Sequence, residues 1–160
     1  MTIALTQFHQ HIAALSRRLG LDASALGAGE RLVEIAYADG SNIVLACLEE
    51  RNELTLSAEL FDAPQSDEEA VRLYRELLIN HAFGLETAGA YFSLNPVANR
   101  FVLCRALPLA GLEEDTLAEA LSALGRVRRQ WMERYEAGQL LPAAPLVSAE
   151  PSQVSGQFFA

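Results

Sequence analysis

The sequence predicts an α+β fold in one compact domain, and three observations carry that reading. Apolar residues recur at helical spacing in three separate segments. Between the first two lies a stretch of period-two alternation broken by Asp-Gly and Arg-Asn turns, and a second such stretch, folded about Asn-Pro, separates the second helix from the third. The predicted order is helix, three-stranded antiparallel meander, helix, two strands, helix.

Leu5, Phe8, Ile12, Leu15 and Leu19, at alternating gaps of three and four, write one stripe of the first helix. It starts at Thr2 or Thr6, each of which offers a capping hydroxyl, and stops at Gly20. A loop rich in Ala and Gly, Asp22 to Gly29, leads into RLVEIAYADGSNIVLACLEERNELTLSAELF. This reads as three strands with turns at Asp39-Gly40 and Arg51-Asn52. After Pro64, Ser66 and Glu69 form a capping box for a second helix over Asp67 to Ala82. Its apolar residues Val71, Leu73, Tyr74, Leu77, Leu78 and Ile79 span an arc wider than one packing face requires, which implies two burial surfaces.

Ala90 to Leu94 and Arg100 to Leu107 make a hairpin about Asn95-Pro96. Glu113, Glu114 and Asp115 complement the positive end of a third helix, which carries Leu117, Leu121, Leu124, Val127, Trp131 and Tyr135 to a stop at Gly138. The domain therefore covers residues 1–137. Residues 138–160, rich in Pro, Ala and Ser with Glu150 as the one charge, read as a flexible tail ending in Phe158-Phe159-Ala160.

The faces of the strands differ. In the third strand Leu54, Leu56, Ala58 and Leu60 alternate with Thr55, Ser57 and Glu59, one buried side against one wet side. The second strand is apolar on both sides, Ile43, Leu45 and Cys47 against Val44, Ala46 and Leu48. Parity alone does not say which side is covered by the chain and which is left as a docking surface.

Composition excludes several classes. At 160 residues, 51% hydrophobic and 21% charged, the chain can bury a core of its own. It holds no apolar run of the roughly 18 residues that a bilayer span needs, and its start, MTIALTQFHQHI, lacks the basic region of a signal peptide. A cytosolic protein without membrane insertion is expected. The formal charge of −9 opposes binding to nucleic acid or anionic lipid.

No arrangement of residues points to catalysis or metal binding. Gly27-Ala28-Gly29 precedes a strand and is neither a P-loop nor a dinucleotide turn, and no G-x-S-x-G elbow occurs. His9 and His11 sit two apart on a helix and point away from each other. His81 ends a helix, where a cation complements the dipole. The acidic runs fall at turns and helix starts, where they have structural causes. Cys47 and Cys104 lie in strands without metal or redox spacing and read as reduced core thiols. Arg126, Arg128 and Arg129 form the one basic cluster; they pair with Glu119, Glu133 or Glu136 along the helix, or meet an acidic segment of a partner. Arg105 shares a strand face with Phe101, Leu103 and Leu107, where a charge needs a carboxylate, internal or across an interface.

Beyond these separate readings, the ordered set of features resembles the Tir chaperone family, the class I type III secretion chaperones, from Thr6 to Tyr135. The likeness rests on Leu19-Gly20-Leu21 after the first helix, Leu77-Leu78-Ile79-Asn80 closing the second, and the strand Tyr91 to Leu94. Leu107-Pro108-Leu109 before the third helix and Trp131 within it complete the set, alongside small size and acidity. The tail beyond Gly138 and His81 after the Asn depart from the pattern.

The resemblance implies a homodimer joined through the second helix and fourth strand, which assigns Val71, Tyr74, Leu77, Leu78, Tyr91, Phe92 and Leu94 to the interface. It implies no catalysis and no cofactor. The N-terminal segment of a secreted virulence effector would wrap the dimer in extended form, in the cytoplasm of a Gram-negative bacterium, and a secretion ATPase or a regulator has room as a further partner. Effector contacts are expected on the first helix stripe, Phe8, Ile12 and Leu15, and on the apolar strand faces, Val33, Ile35, Val44 and Leu48. Two other readings stand beside this one: a regulatory protein of the same fold that sequesters a transcription activator or anti-activator, and a small thiol enzyme using Cys47 or Cys104.

Overall fold

A computed structural model describes residues 2–20 and 29–140, without the side chain of Phe83. The tail beyond Leu140 and the Ala- and Gly-rich loop up to residue 28 lie outside the described residues. Helix α1 spans Ile3–Leu19. Thr2 is its cap: its Oγ accepts from the Leu5 amide at 3.2 Å, while the Thr6 hydroxyl donates back to the Thr2 carbonyl at 3.0 Å. Gly20 ends the helix at φ 68°, a left-handed conformation that favours glycine.

Strands β1 (Leu32–Ala36), β2 (Asn42–Leu48) and β3 (Glu53–Asp62) form the expected meander. Its first turn is closed by Asp39, whose carboxylate accepts from both the amide and the hydroxyl of Ser41. Helix α2 covers Asp67–His81, with Ser66 Oγ accepting from the Glu69 amide at 3.2 Å. Strands β4 (Tyr91–Asn95) and β5 (Arg100–Pro108) follow, turned by Asn95, whose side-chain carbonyl accepts from the amides of Val97 and Ala98. Helix α3 runs Glu114–Glu136.

All five strands form one antiparallel sheet in the order β1-β2-β3-β5-β4. The second hairpin thus joins the first through its later strand, and β4 becomes an edge. Register places Val33, Leu45, Leu56 and Arg105 in one row, and Ile35, Ile43, Ala58, Leu103 and Phe92 in the next. That side carries the core. Helices α1 and α3 bury Phe8, Ile12, Leu15, Leu117, Leu121, Leu124 and Trp131 together with it. A bulge between Glu59 and Asp62, bridged by Arg100 at 2.8 Å to each carboxylate, shifts the parity so that both Leu60 and Phe61 are buried. Phe61 then stacks on Tyr135 with centroids 4.2 Å apart.

The end of α3 revises the expected domain limit. Gly138 at φ 70° donates to Tyr135 O, and Gln139 donates to Arg134 O, a Schellman closure that turns Leu140 back into the core with no exposed surface. The packed domain therefore extends past residue 137 to at least Leu140.

Trp131 anchors the far end of α3. It is fully buried, meets Phe92 edge to face at 4.8 Å, and donates its indole N–H to the Glu86 carbonyl at 3.3 Å. Trp131→Ala should cost about 3–5 kcal/mol of stability through the lost burial and the cavity left behind. Urea unfolding followed by circular dichroism measures this, and Trp131→Phe should recover part of the loss.

Candidate functional site

With the core closed on one side of the sheet, two apolar surfaces remain among the described residues. The first is the opposite sheet face. Register aligns Leu32, Ala46, Thr55 and Ala106 in one row, and Glu34, Val44, Ser57, Cys104 and Tyr91 in the next. Leu32 and Leu48 are exposed, and Val44, Ala46 and Val102 are half-buried. The two-sided strand is thus resolved: Ile43, Leu45 and Cys47 face the helices, and Val44, Ala46 and Leu48 face outward.

This divides the residues expected to contact an effector. Val44 and Leu48 lie on the open face. Phe8, Ile12 and Leu15 do not: at 0%, 1% and 1% exposure they are the centre of the domain's own core, because the α1 stripe is the lid on Ile43 and Leu45. Ile35, registered with Ile43, is buried on the same side, and Val33, registered with Leu45, packs half-buried against that core. The stripe expected to meet an effector is consumed internally. Leu32, Ala46 and Val102 were missed, although the turn at Asp39-Gly40 pairs Ala36 with Asn42 and so fixes Leu32 beside Ala46.

The second surface joins α2 to the β4 edge. Val71, Tyr74 and Leu78, spaced three and four apart on α2, are 61%, 40% and 71% exposed, and Tyr91 and Leu94 of β4 are also exposed. Strand β4 pairs only with β5, so its outer backbone groups are unpaired among the described residues. Leu77 and Phe92, also expected here, belong to the core. Leu77 lies one turn from the fully buried Leu73, and Phe92 meets Trp131. The wide arc of α2 therefore splits into an inner stripe of Leu73 and Leu77 and an outer stripe of Val71, Tyr74 and Leu78.

Several of the remaining polar residues tie elements of the fold together. His9 Nε2 lies 2.8 Å from the Glu30 carbonyl, tying α1 to the chain entering β1, and Thr2 and Arg31 both bond to Glu49. None of the ion pairs expected between Arg126, Arg128 or Arg129 and Glu119, Glu133 or Glu136 forms among the described residues; Arg128 instead donates to the Glu59 carbonyl at 2.8 Å. Among the described residues no group of His, Cys, Asp and Glu could hold a metal ion, and no helix is long and apolar enough to cross a membrane.

Both cysteines are buried and unpaired by disulfide. Burial pushes the Cys104 thiol above its ordinary range, and burial with the nearby Glu49 carboxylate does the same to Cys47.

A chain with this geometry matches the model of the Tir chaperone protein (CesT) family over residues 10–132, and it belongs to that family. Among solved structures it is similar to the HopA1-SchA chaperone-effector complex, with TM-score 0.65 and 19% identity over 83% of this chain and 98% of that one. It is likewise similar to the ExsC-ExsE complex, with TM-score 0.66 and 19% identity over 91% of this chain and 100% of that one. A third likeness is to the heterodimeric complex ExoU-SpcU from the type III secretion system of Pseudomonas aeruginosa, with TM-score 0.56 and 18% identity over 76% and 91% of the two chains. No curated protein sequence matches the chain at a significant level.

Because the thiolate is the reactive form and burial disfavours it, labelling of the native protein by iodoacetamide at pH 7 should lag far behind that of free cysteine. Ellman quantitation over time checks this, with rates recovering only in denaturant or at strongly alkaline pH.

Proposed function

We propose that this protein is a type III secretion chaperone that binds the N-terminal segment of a secreted effector in extended form and keeps it soluble and competent for secretion. The open sheet face inside the family segment carries this reading. A domain with a finished core leaves Leu32, Val44, Ala46, Leu48 and Val102 outward, next to strand edges at β1 and β4. The similar HopA1-SchA structure supports it, since that is a chaperone-effector complex.

The energetics suit that task. Ordering an unfolded partner costs about 1–2 kcal/mol per residue. Apolar burial at about 25 cal/mol per Å² offsets it, and strand addition at an open edge adds backbone hydrogen bonds that do not depend on partner sequence. Burial that raises the pKa of both thiols disfavours the thiolate and so favours binding over thiol chemistry. We place the protein in the cytoplasm of a Gram-negative bacterium, as a homodimer joined through the outer stripe of α2 and the β4 edge. In that arrangement the most exposed apolar residues of α2 are covered by their symmetry mates.

Two measurements test this. Leu78→Glu should convert the dimer to monomer or aggregate in multi-angle light scattering; a well-folded wild-type monomer at micromolar concentration would remove the dimer. Val44→Asp with Leu48→Asp should weaken capture of the native effector about a hundredfold, the scale of two lost aliphatic burials, while leaving the dimer intact. Affinity purification from the native host with mass spectrometry identifies that effector. Recovery of a DNA-binding regulator in its place would replace secretion with sequestration.

A further inference from the structure

We propose that a groove on the helix-bearing side of the domain binds a carboxylate-rich peptide segment of a second protein partner. The groove has a volume of about 820 Å³ and is lined by the last turn of α1, the length of α3 from Thr116 to Arg129, the β1–β2 turn and Arg105 of β5. Small side chains on α3, among them Ala118, Ala123 and Gly125, keep it open, and Leu19 and Tyr37 give it apolar walls.

Its charge is what distinguishes it. In a protein of net charge −9 the groove is lined by four arginines, Arg18, Arg105, Arg126 and Arg129, against two carboxylates, Asp39 and Glu119. Arg18 is already bonded to Asp115. Arg105, Arg126 and Arg129 form no ion pair with any described residue, although acids outnumber bases 21 to 12 in the chain. Of the two groove acids, Asp39 accepts from the Ser41 amide and hydroxyl at 2.9 and 2.6 Å, which hold its carboxyl below the ordinary range, with a smaller contribution from the charges of Arg128 and Arg129. Arg105 is the telling residue. It stands half-buried opposite Leu56 on the core side of the sheet, between Leu103 and Leu107, and forms no ion pair with a described residue.

The occupant is a peptide by length and composition. Thr116 to Arg129 spans about 20 Å of helix at 1.5 Å per residue, room for about six residues of extended chain. The arginines suit carboxylates through forked, bidentate hydrogen bonds, and the Ala, Leu and Tyr walls suit apolar residues between them. The groove shares only Ser41 with the depression at the end of the open sheet face, so both surfaces are available at once. The inference does not rest on the chaperone reading.

The test uses the full chain and a fluorescein-labelled peptide of alternating Glu and Leu, with a Gln-Leu peptide as control, read by fluorescence anisotropy. The Glu peptide should bind, and Arg126→Gln and Arg129→Gln should each weaken it about tenfold, the scale of a charge-assisted hydrogen bond. Arg105→Gln added to both should abolish binding. Affinity should fall as salt rises from about 0.05 M to about 0.3 M. This direction is diagnostic, because the net charge of the whole protein repels the peptide and salt would strengthen non-specific association. Equal binding of the Gln peptide, or an unchanged dissociation constant in the exposed double variant Arg126→Gln with Arg129→Gln, overturns the proposal. So does displacement by inorganic phosphate as effective as by unlabelled peptide, which would mark a small-anion site.

Discussion

The pairing of β3 with β5 runs along most of both strands at the centre of the sheet, and every other element takes its place from it. Closing it requires the chain to pass through α2 and β4 first, an entropic cost that local contacts do not offset. Burial of Leu54, Leu56 and Ala58 beside Leu107 and Leu103 offsets it. Because side chains alternate between faces, a slip of one residue would send this whole set to the wrong side. The register is therefore strongly specified, and with it the direction in which Val102, Cys104 and Arg105 point.

From that register the binding surfaces follow as remainders. Two helices can cover only one side of a five-stranded sheet, and α1 and α3 cover the side carrying Ile43, Leu45 and Leu56. What is left over is the outward face of β2 and its neighbours, the outer stripe of α2, and the free edge of β4. A monomeric domain that exposes Val71, Leu78, Leu32 and Leu48 together carries more apolar surface than solubility favours. The proposed dimer and the proposed effector capture would both draw on that surface.

The half-buried arginine at position 105 belongs to a different logic. An apolar residue there would pack with Leu103 and Leu107 and leave three arginines in the α3 groove against its two carboxylates. Instead the groove carries guanidinium groups that form no ion pair among the described residues, in a protein whose overall charge is strongly negative. Such local inversion of charge is a device for selecting partners, since it attracts carboxylates while the rest of the surface repels them.

Sequence by itself determined the elements. Thr2, Gly20, Asp39-Gly40, Ser66, Asn95 and Gly138 act through hydrogen bonds and dihedral preferences within a few residues, so their roles are legible without knowing the fold. The outer stripe of α2 was also foreshadowed by an arc too wide for one interface. Tertiary structure alone decided which apolar residues remain free. Phe8, Ile12 and Leu15 read in sequence as a docking stripe, and only the position of α1 over Ile43 and Leu45 assigns them to the core. Likewise both faces of β2 are apolar, and the helices choose between them. The physical reason is that hydrophobic burial is non-directional: a sequence records which residues leave water, while the partner that removes them is fixed by contacts between segments far apart in the chain.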